Sequence, residues 1–296
     1  MTTLKSYNSN KDLAIKTSII SIVLNIVLSI LKFIAGIVSH SSAMISDAVH
    51  SASDVLSTVV VIVGVNIASK KPDKEHPYGH ERFESISAMF LAVLLATTGL
   101  IIGYSGIKNI FTNSYTQITG NLAIISALIS IAVKEWQYQY TKRVAKKINS
   151  DSLMADAWHH RSDALSSIGS FIGVLGAMLG LPIMDSIASI VISIMIVHVG
   201  YTILKEAIDK LIDKSCDDST NKQIEDFITS QQGVMGLSEF RSRLFGNKVY
   251  VDVTILVDGT LLLKDAHTIC EAVHDNVEKN FPDIKHCMIH VHPYNK

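Results

Sequence analysis

Residues 47–57 read DAVHSASDVLS and residues 156–166 read DAWHHRSDALS. Both follow the pattern D-A-x-H-x-x-x-D-x-L-S, and both sit in apolar surroundings. His50 and Asp54 are four residues apart, as are His159 and Asp163, so each pair projects from one face of a helix. Ionisable groups inside a membrane-length apolar helix are costly and mark a pathway or a binding site. One such match could be accidental; a duplicated one in a single chain points to two helices facing each other across a shared site.

The chain around these motifs is built for a bilayer. Of its 296 residues 48% are hydrophobic and only 18% charged, against about a quarter charged in soluble domains. Six apolar stretches, at 14–38, 41–69, 84–111, 118–141, 153–179 and 183–207, predict six spans, each long enough as a helix to cross roughly 30 Å of hydrocarbon. The connections SHSS, FTNSYTQITG and GLP carry almost no charge, whereas KKPDKEHPYGHER and KRVAKKINSD are rich in Lys and Arg. The N-terminal arm and Lys205, Lys210 and Lys214 are basic as well. By the positive-inside rule both termini and both charged loops face the cytoplasm, which six spans satisfy. The expected location is therefore the cell membrane, multi-pass. The polar start MTTLKSYNSNKDLAIK does not read as a signal peptide, leaving targeting to the first span.

The net charge of −1 gives no reason to expect nucleic acid as a partner. Cys216, Cys270 and Cys287 are odd in number and lack CxxC spacing, so reduced thiols are expected rather than a disulfide framework.

From residue 215 the texture is that of a soluble domain, dividing the chain into 1–214 and 215–296. Thr220 and Gln223 have the spacing of a capping box opening a helix. In VYVDVTILV (249–257) the odd positions are all Val or Ile, the period-2 signature of a strand. A turn at Asp258-Gly259, a helix over 264–280 and a short strand through Cys287, Ile289 and Val291 follow. The fold class is thus an all-α six-helix membrane domain with a small α+β domain of helix, strand, strand, helix, strand.

If the two motif helices face each other, His50, Asp54, His159 and Asp163 supply two imidazole nitrogens and two carboxylate oxygens, a tetrahedral set suited to Zn²⁺. Co²⁺, Fe²⁺ or Mn²⁺ fit the same mixed set less selectively. The blander reading is a cluster of interhelical hydrogen bonds. Asp47 and Asp156, one turn earlier, read as helix caps or as supports for the ligands. His160 faces elsewhere and reads as packing or surface. Neutral imidazoles bind metal and protonated ones release it, so such a site can exchange metal for protons. Asp73-x-x-His76-x-x-x-His80, in the charged loop, is a second ligand spacing.

With the paired HxxxD helices, the six spans and the loop HPYGHERFES, the chain resembles the cation diffusion facilitator family of metal exporters along essentially its whole length. That resemblance implies a homodimeric secondary transporter, not an enzyme, exchanging a divalent cation for protons, with a metallochaperone-like, open ferredoxin-like C-terminal domain. His-Asp plus His-Asp is similar to the zinc-type branch, with Zn²⁺ as cargo and as a possible structural or regulatory ion; a manganese exporter of the same family is the alternative. The resemblance further implies a peripheral metal site at Asp73, His76 and His80. It implies another between protomers at Asp252, His267, His290 and His292, where Ser238 stands in place of a histidine of some relatives. It also implies an ion-pair gate between Arg82 and Asp213. Two other classes were weighed. An intramembrane metalloprotease needs HExxH, which His80-Glu81-Arg82-Phe83-Glu84 lacks. A membrane-bound metal sensor has no use for a duplicated intramembrane motif.

Overall fold

The computed structural model describes residues 2–38, 42–112, 121–178 and 183–294. Six long helices come first: α1 (Thr2–Val38), α2 (Ser42–Ala68), α3 (Arg82–Thr112), α4 (Asn121–Ile148), α5 (Asp151–Met178) and α6 (Ile183–Leu211). The uncharged connections SHSS, FTNSYTQITG and GLP fall largely outside the described residues. By packing the chain divides into two compact units, residues 1–207 and 208–296.

Several helices outrun the apolar stretches that mark them. α4 continues through Lys142, Arg143, Lys146 and Lys147 before it stops at Ile148. Lys and Arg are good helix formers, and at a C-terminus they complement the helix dipole. Asn149 then takes a left-handed conformation (φ 53°), which asparagine tolerates and which ends a helix. Ser150 follows at once and its hydroxyl accepts from the Leu153 amide at 3.3 Å, capping α5. This two-residue turn folds α5 back along α4, and that geometry builds the site described below.

Among the described residues, Asn10–Ile34, Arg82–Thr112 and Ser189–Leu211 are long and apolar enough to cross a membrane by composition alone. Asp54–Ala68 is a shorter apolar stretch. Many polar side chains of α2, α4 and α5 are buried: Asp54 and Ser57 on α2, Lys134 and Gln137 on α4, Asp156 and Asp163 on α5. A bundle in lipid is polar inside and apolar outside for this reason. Leu100, Ile101, Tyr104, Ile194 and Met195 accordingly stay exposed on α3 and α6.

Small residues let the helices approach. A Cβ added at Gly64 of α2 would lie 2.0 Å from Ser87 Oγ of α3. One added at Gly103 of α3 would lie 2.6 Å from Ser193 Oγ of α6. Helix association in lipid draws on such close backbone contact, since no hydrophobic effect separates helix from tail.

The second unit contains α7 (Asp218–Thr229), β1 (Gly236–Phe245), β2 (Lys248–Asp258), α8 (Leu263–Asn280) and β3 (Ile284–Tyr294). The sheet order is β1-β2-β3, with β1 antiparallel and β3 parallel to β2. Val251, Val253, Ile255 and Val257 turn to one face and pack with Ile224 and Ile228 of α7 and Ala266, Val273 and Val277 of α8. Each fully buried Val or Ile stabilises by about 1.5–3 kcal/mol. The even-numbered β2 residues face away from that core, Asp252 among them exposed.

One local expectation needs correcting. α7 opens at Asp217, not at Thr220: the Asp217 carboxylate accepts from the Thr220 amide at 2.9 Å and its hydroxyl at 2.7 Å. An ionised acceptor makes stronger hydrogen bonds than a hydroxyl, so the acidic residue takes the cap. The Ser219 hydroxyl, then the Thr220 hydroxyl and amide, hold the Asp217 carboxyl well below the usual carboxylate range.

Candidate metal centre

α2, α4 and α5 meet around four buried ionisable side chains. Asp54 lies on α2 and is 3% exposed; His159 and Asp163 lie on α5 and are 5% and 9% exposed. One donor atom from each of these three falls within 4.8 Å of the others. His159 Nε2 is 3.6 Å from Asp54 Oδ1. Asp54 of one motif and His159 and Asp163 of the other, more than a hundred residues apart in the chain, therefore converge on one point. His50 and Asp47 lie on α2, one and two turns before Asp54, but their side chains are outside those described.

The fourth group is Lys134 of α4, which the sequence reading passed over. Its ammonium donates to Asp54 Oδ2 at 2.6 Å and to Asp163 Oδ2 at 2.8 Å. The lysine is 1% exposed. A buried carboxylate pair without a counter-charge would be very costly, and here a tethered cation balances it. The signal was present in the sequence. Ser130, Lys134, Gln137 and Thr141 are spaced four, three and four apart, so they form one polar stripe along α4, and all four are buried. Gln137 continues the network to α1, donating to the Ser21 carbonyl at 3.1 Å and to Asn25 Oδ1 at 3.2 Å.

Asp156 does not cap α5, which begins five residues earlier at Asp151. It is fully buried and accepts from Thr58 Oγ1 of α2 at 3.1 Å. Its other oxygen is 3.5 Å from Nε2 of the equally buried His160. The pair braces α5 against α2 one turn away from Asp54, so of the two readings for Asp156 the support role fits. His160 is packing, not surface.

The charged loop brings its three residues together. The Asp73 carboxylate accepts from the His76 amide at 2.7 Å and the Glu75 amide at 3.0 Å. Gly79, at φ 100°, supplies the left-handed turn that returns His80 to Asp73. Asp73 then lies 3.5 Å from His76 Nδ1 and 3.4 Å from His80 Nε2. The His76 amide above all holds the Asp73 carboxyl below its ordinary value. Asp73 is thus anionic at neutral pH.

The remaining predicted residues are placed differently. Asp252, His290 and His292 are exposed on the open face of the sheet. His267 is exposed on α8, where its Nε2 is 3.4 Å from Glu271 Oε1. Among the described residues these four belong to none of the three groupings that bring ligand atoms within 4.8 Å. α8 covers the opposite face of the sheet, so one chain does not gather them. Ser238 is exposed beside the irregularity in β1 between Leu237 and Glu239. Arg82 opens α3 in the first unit and Asp213 follows α6 in the second, in a left-handed conformation (φ 62°).

Comparison with known proteins agrees with this architecture. Residues 18–212 match the family described as "Cation efflux transmembrane domain". Residues 216–294 match "Cation efflux protein, cytoplasmic domain". A transporter of Methanocaldococcus jannaschii is 36% identical over 276 residues, covering 93% of this chain and 97% of that protein. Metal tolerance protein C1 of Arabidopsis thaliana is 35% identical over 90% of this chain, which spans 59% of the plant protein. The manganese efflux system protein MneP of Bacillus subtilis is 29% identical over 97% of this chain and 98% of that protein.

Proposed function

Because the chain belongs to the cation efflux, or cation diffusion facilitator, family, we propose that it exports Zn²⁺ from the cytoplasm in exchange for protons, as a homodimer in the cell membrane. It is a multi-pass membrane protein and a secondary active transporter of divalent transition-metal cations, not an enzyme. The observation that carries the zinc reading is the convergence of His159, Asp54 and Asp163, with His50 one turn before Asp54 on the same helix. Imidazole nitrogen favours Zn²⁺ over Mn²⁺, which prefers oxygen ligands and higher coordination. The division of labour is membrane transport by residues 1–214 and dimerisation or regulation by 215–296. Basic loops keep both termini inside.

The cycle follows from the charges. Cytoplasmic metal displaces the Lys134 ammonium from Asp54 and Asp163 and the protons from His159 and His50, which leave to the cytoplasm as the two imidazoles complete its shell. On the far side protons take the imidazoles, the metal leaves, and Lys134 returns to the carboxylates. The empty carrier then crosses back without two naked charges in the low-dielectric core. Asp73, His76 and His80 form a loop site that holds metal near the entrance. Asp252, His267, His290 and His292 form a regulatory site only when two chains meet.

The test is a panel of Zn²⁺, Mn²⁺, Co²⁺ and Cd²⁺ fluxes in proteoliposomes, with and without a pH gradient. Zn²⁺ should move fastest and should slow when the gradient is collapsed. The rival cargo is Mn²⁺, favoured by the 29% identity to MneP. Faster Mn²⁺ than Zn²⁺ flux in the wild type would overturn the zinc assignment and leave the transporter assignment standing. His50→Asp, which replaces a nitrogen by an oxygen, should keep transport but narrow the preference for Zn²⁺ over Mn²⁺ and Cd²⁺.

Arg82 and Asp213 are proposed to pair across the dimer seam, as the family resemblance implies. With Asp213 exposed and Arg82 half-buried, such a pair stabilises by about 1 kcal/mol, so its effect belongs in rate rather than folding. Reversing either charge should slow flux, and reversing both should recover part of it. A double reversal no better than either single one would remove the pairing.

A further inference from the structure

A third cluster of ligand-type groups lies in the C-terminal unit, apart from the Asp252, His267, His290 and His292 set. His274 and Glu278 stand one turn apart on α8, and His286 stands near the start of β3. One donor atom from each lies within 4.8 Å of the other two. All three are partly exposed, with 32%, 32% and 45% of the side chains of His274, Glu278 and His286 open to solvent. We propose that His274, Glu278 and His286 form a further metal site, complete within one chain, for a borderline divalent cation such as Zn²⁺ or Co²⁺ with water as the fourth ligand.

A backbone carbonyl fixes the tautomer of His274. Its Nδ1 is 2.7 Å from the Cys287 carbonyl oxygen, which can only accept, so Nδ1 carries the hydrogen. In the neutral ring the lone pair then sits on Nε2, and Nε2 is 3.3 Å from Glu278 Oε1. A lone pair facing a carboxylate oxygen needs a cation to share. The ring hydrogen bonded to a backbone carbonyl is also the arrangement that orients metal-binding histidines and raises their basicity. Glu278 Oε1 is itself fixed by the Cys287 amide at 3.2 Å.

The spacing fits a metal. Tetrahedral ligands at about 2.0–2.1 Å from Zn²⁺ are separated from one another by roughly 3.3–3.4 Å. His274 Nε2 to Glu278 Oε1 is 3.3 Å and His286 Nδ1 to Glu278 Oε1 is 3.2 Å. The two rings lie with centroids 5.4 Å apart, so a small rotation of the more exposed His286 closes the third edge. Cys287 is not a ligand: its side chain is 1% exposed, packed in the core, and burial above all pushes its thiol up to about 12. A metal held by this triad clips the C-terminal half of α8 to β3, the strand that carries His290 and His292.

The experiment uses the full chain in detergent, carrying Asp163→Ala to remove the transport centre from the count. Co²⁺ is titrated, and both bound metal per chain and the visible ligand-field band of tetrahedral cobalt are read. Replacing His274 and His286 together by Ala should lose one bound Co²⁺ per chain and part of that band. An unchanged stoichiometry would overturn the site and leave a protonated, hydrogen-bonded cluster in its place. His286→Asn, whose amide can keep the hydrogen bond to Glu278, should lose the same metal without disturbing the fold. On the unmutated chain, Zn²⁺ should protect His274 and His286 from carbethoxylation, as mapped by mass spectrometry. Full labelling of both at saturating Zn²⁺ would also overturn the proposal. None of these readings depends on whether the chain carries zinc or manganese across the membrane.

Discussion

Asp163→Ala and Asp54→Ala are each expected to reduce metal flux in reconstituted vesicles to that of protein-free vesicles. Each removes one of the two carboxylates that stand opposite His159 and hold Lys134. In the low-dielectric interior of a bundle, a divalent cation that loses one of its two neutralising charges loses more than a single ordinary hydrogen bond, because no water replaces the missing anion. The variants should still insert and elute as the wild type does. The remaining carboxylate keeps the buried ammonium paired, which avoids the heaviest cost of breaking a buried ion pair, an orphaned charge. Flux normalised to inserted protein is the measurement. Wild-type flux through either variant would remove this cluster from the transport path, whatever the family.

Lys134→Met should act in two opposite directions. With the tethered cation gone, metal no longer has to displace an ammonium from Asp54 and Asp163, so it should bind more tightly, by roughly tenfold or more, equivalent to about 1.4 kcal/mol. Net export should slow nonetheless, because the empty carrier now returns with only the protonated imidazoles to balance its two carboxylates. Metal–metal exchange, which uses only the loaded form, should be affected far less than net flux. Lys134→Arg keeps the charge and should lie nearer the wild type in affinity. Equilibrium binding in detergent, paired with exchange and net-flux assays on the same vesicles, separates the two effects. If Lys134→Met binds metal more weakly, the lysine builds the site rather than competing for it.

What the sequence by itself determined is what short-range pattern encodes. Apolar length marked the membrane helices. Period-2 alternation marked β2, and turn chemistry at Asp258-Gly259 separated it from α8. The duplicated motif could be read because helical geometry alone puts residues four apart on one face, and because a repeat makes chance a poor explanation. The grouping of Asp73, His76 and His80 could be read for the same reason, since the chain that carries them is short and closes on itself through Gly79.

What only the tertiary structure decided is what depends on which elements meet. Lys134 is 80 residues from Asp54 and 29 from Asp163. The stripe of Ser130, Lys134, Gln137 and Thr141 marks one polar face of α4 in the sequence, but not what that face meets. Its role appears once the Asn149–Ser150 turn folds α5 against α4 and lays the polar stripe of α4 against both motif helices. Asp156 looked like a cap from its place before His159. Its burial against Thr58 shows a brace, because α5 had already begun at Asp151. Nothing in the local sequence joins His274 to His286. They converge on Glu278 because β3 runs parallel to β2 and the hydrophobic face of α8 packs on that sheet, which fixes the helix's rotation and turns one edge of it toward His286. A helix's rotation about its axis is set by the partner it buries itself against, and that partner lies outside any local window of sequence.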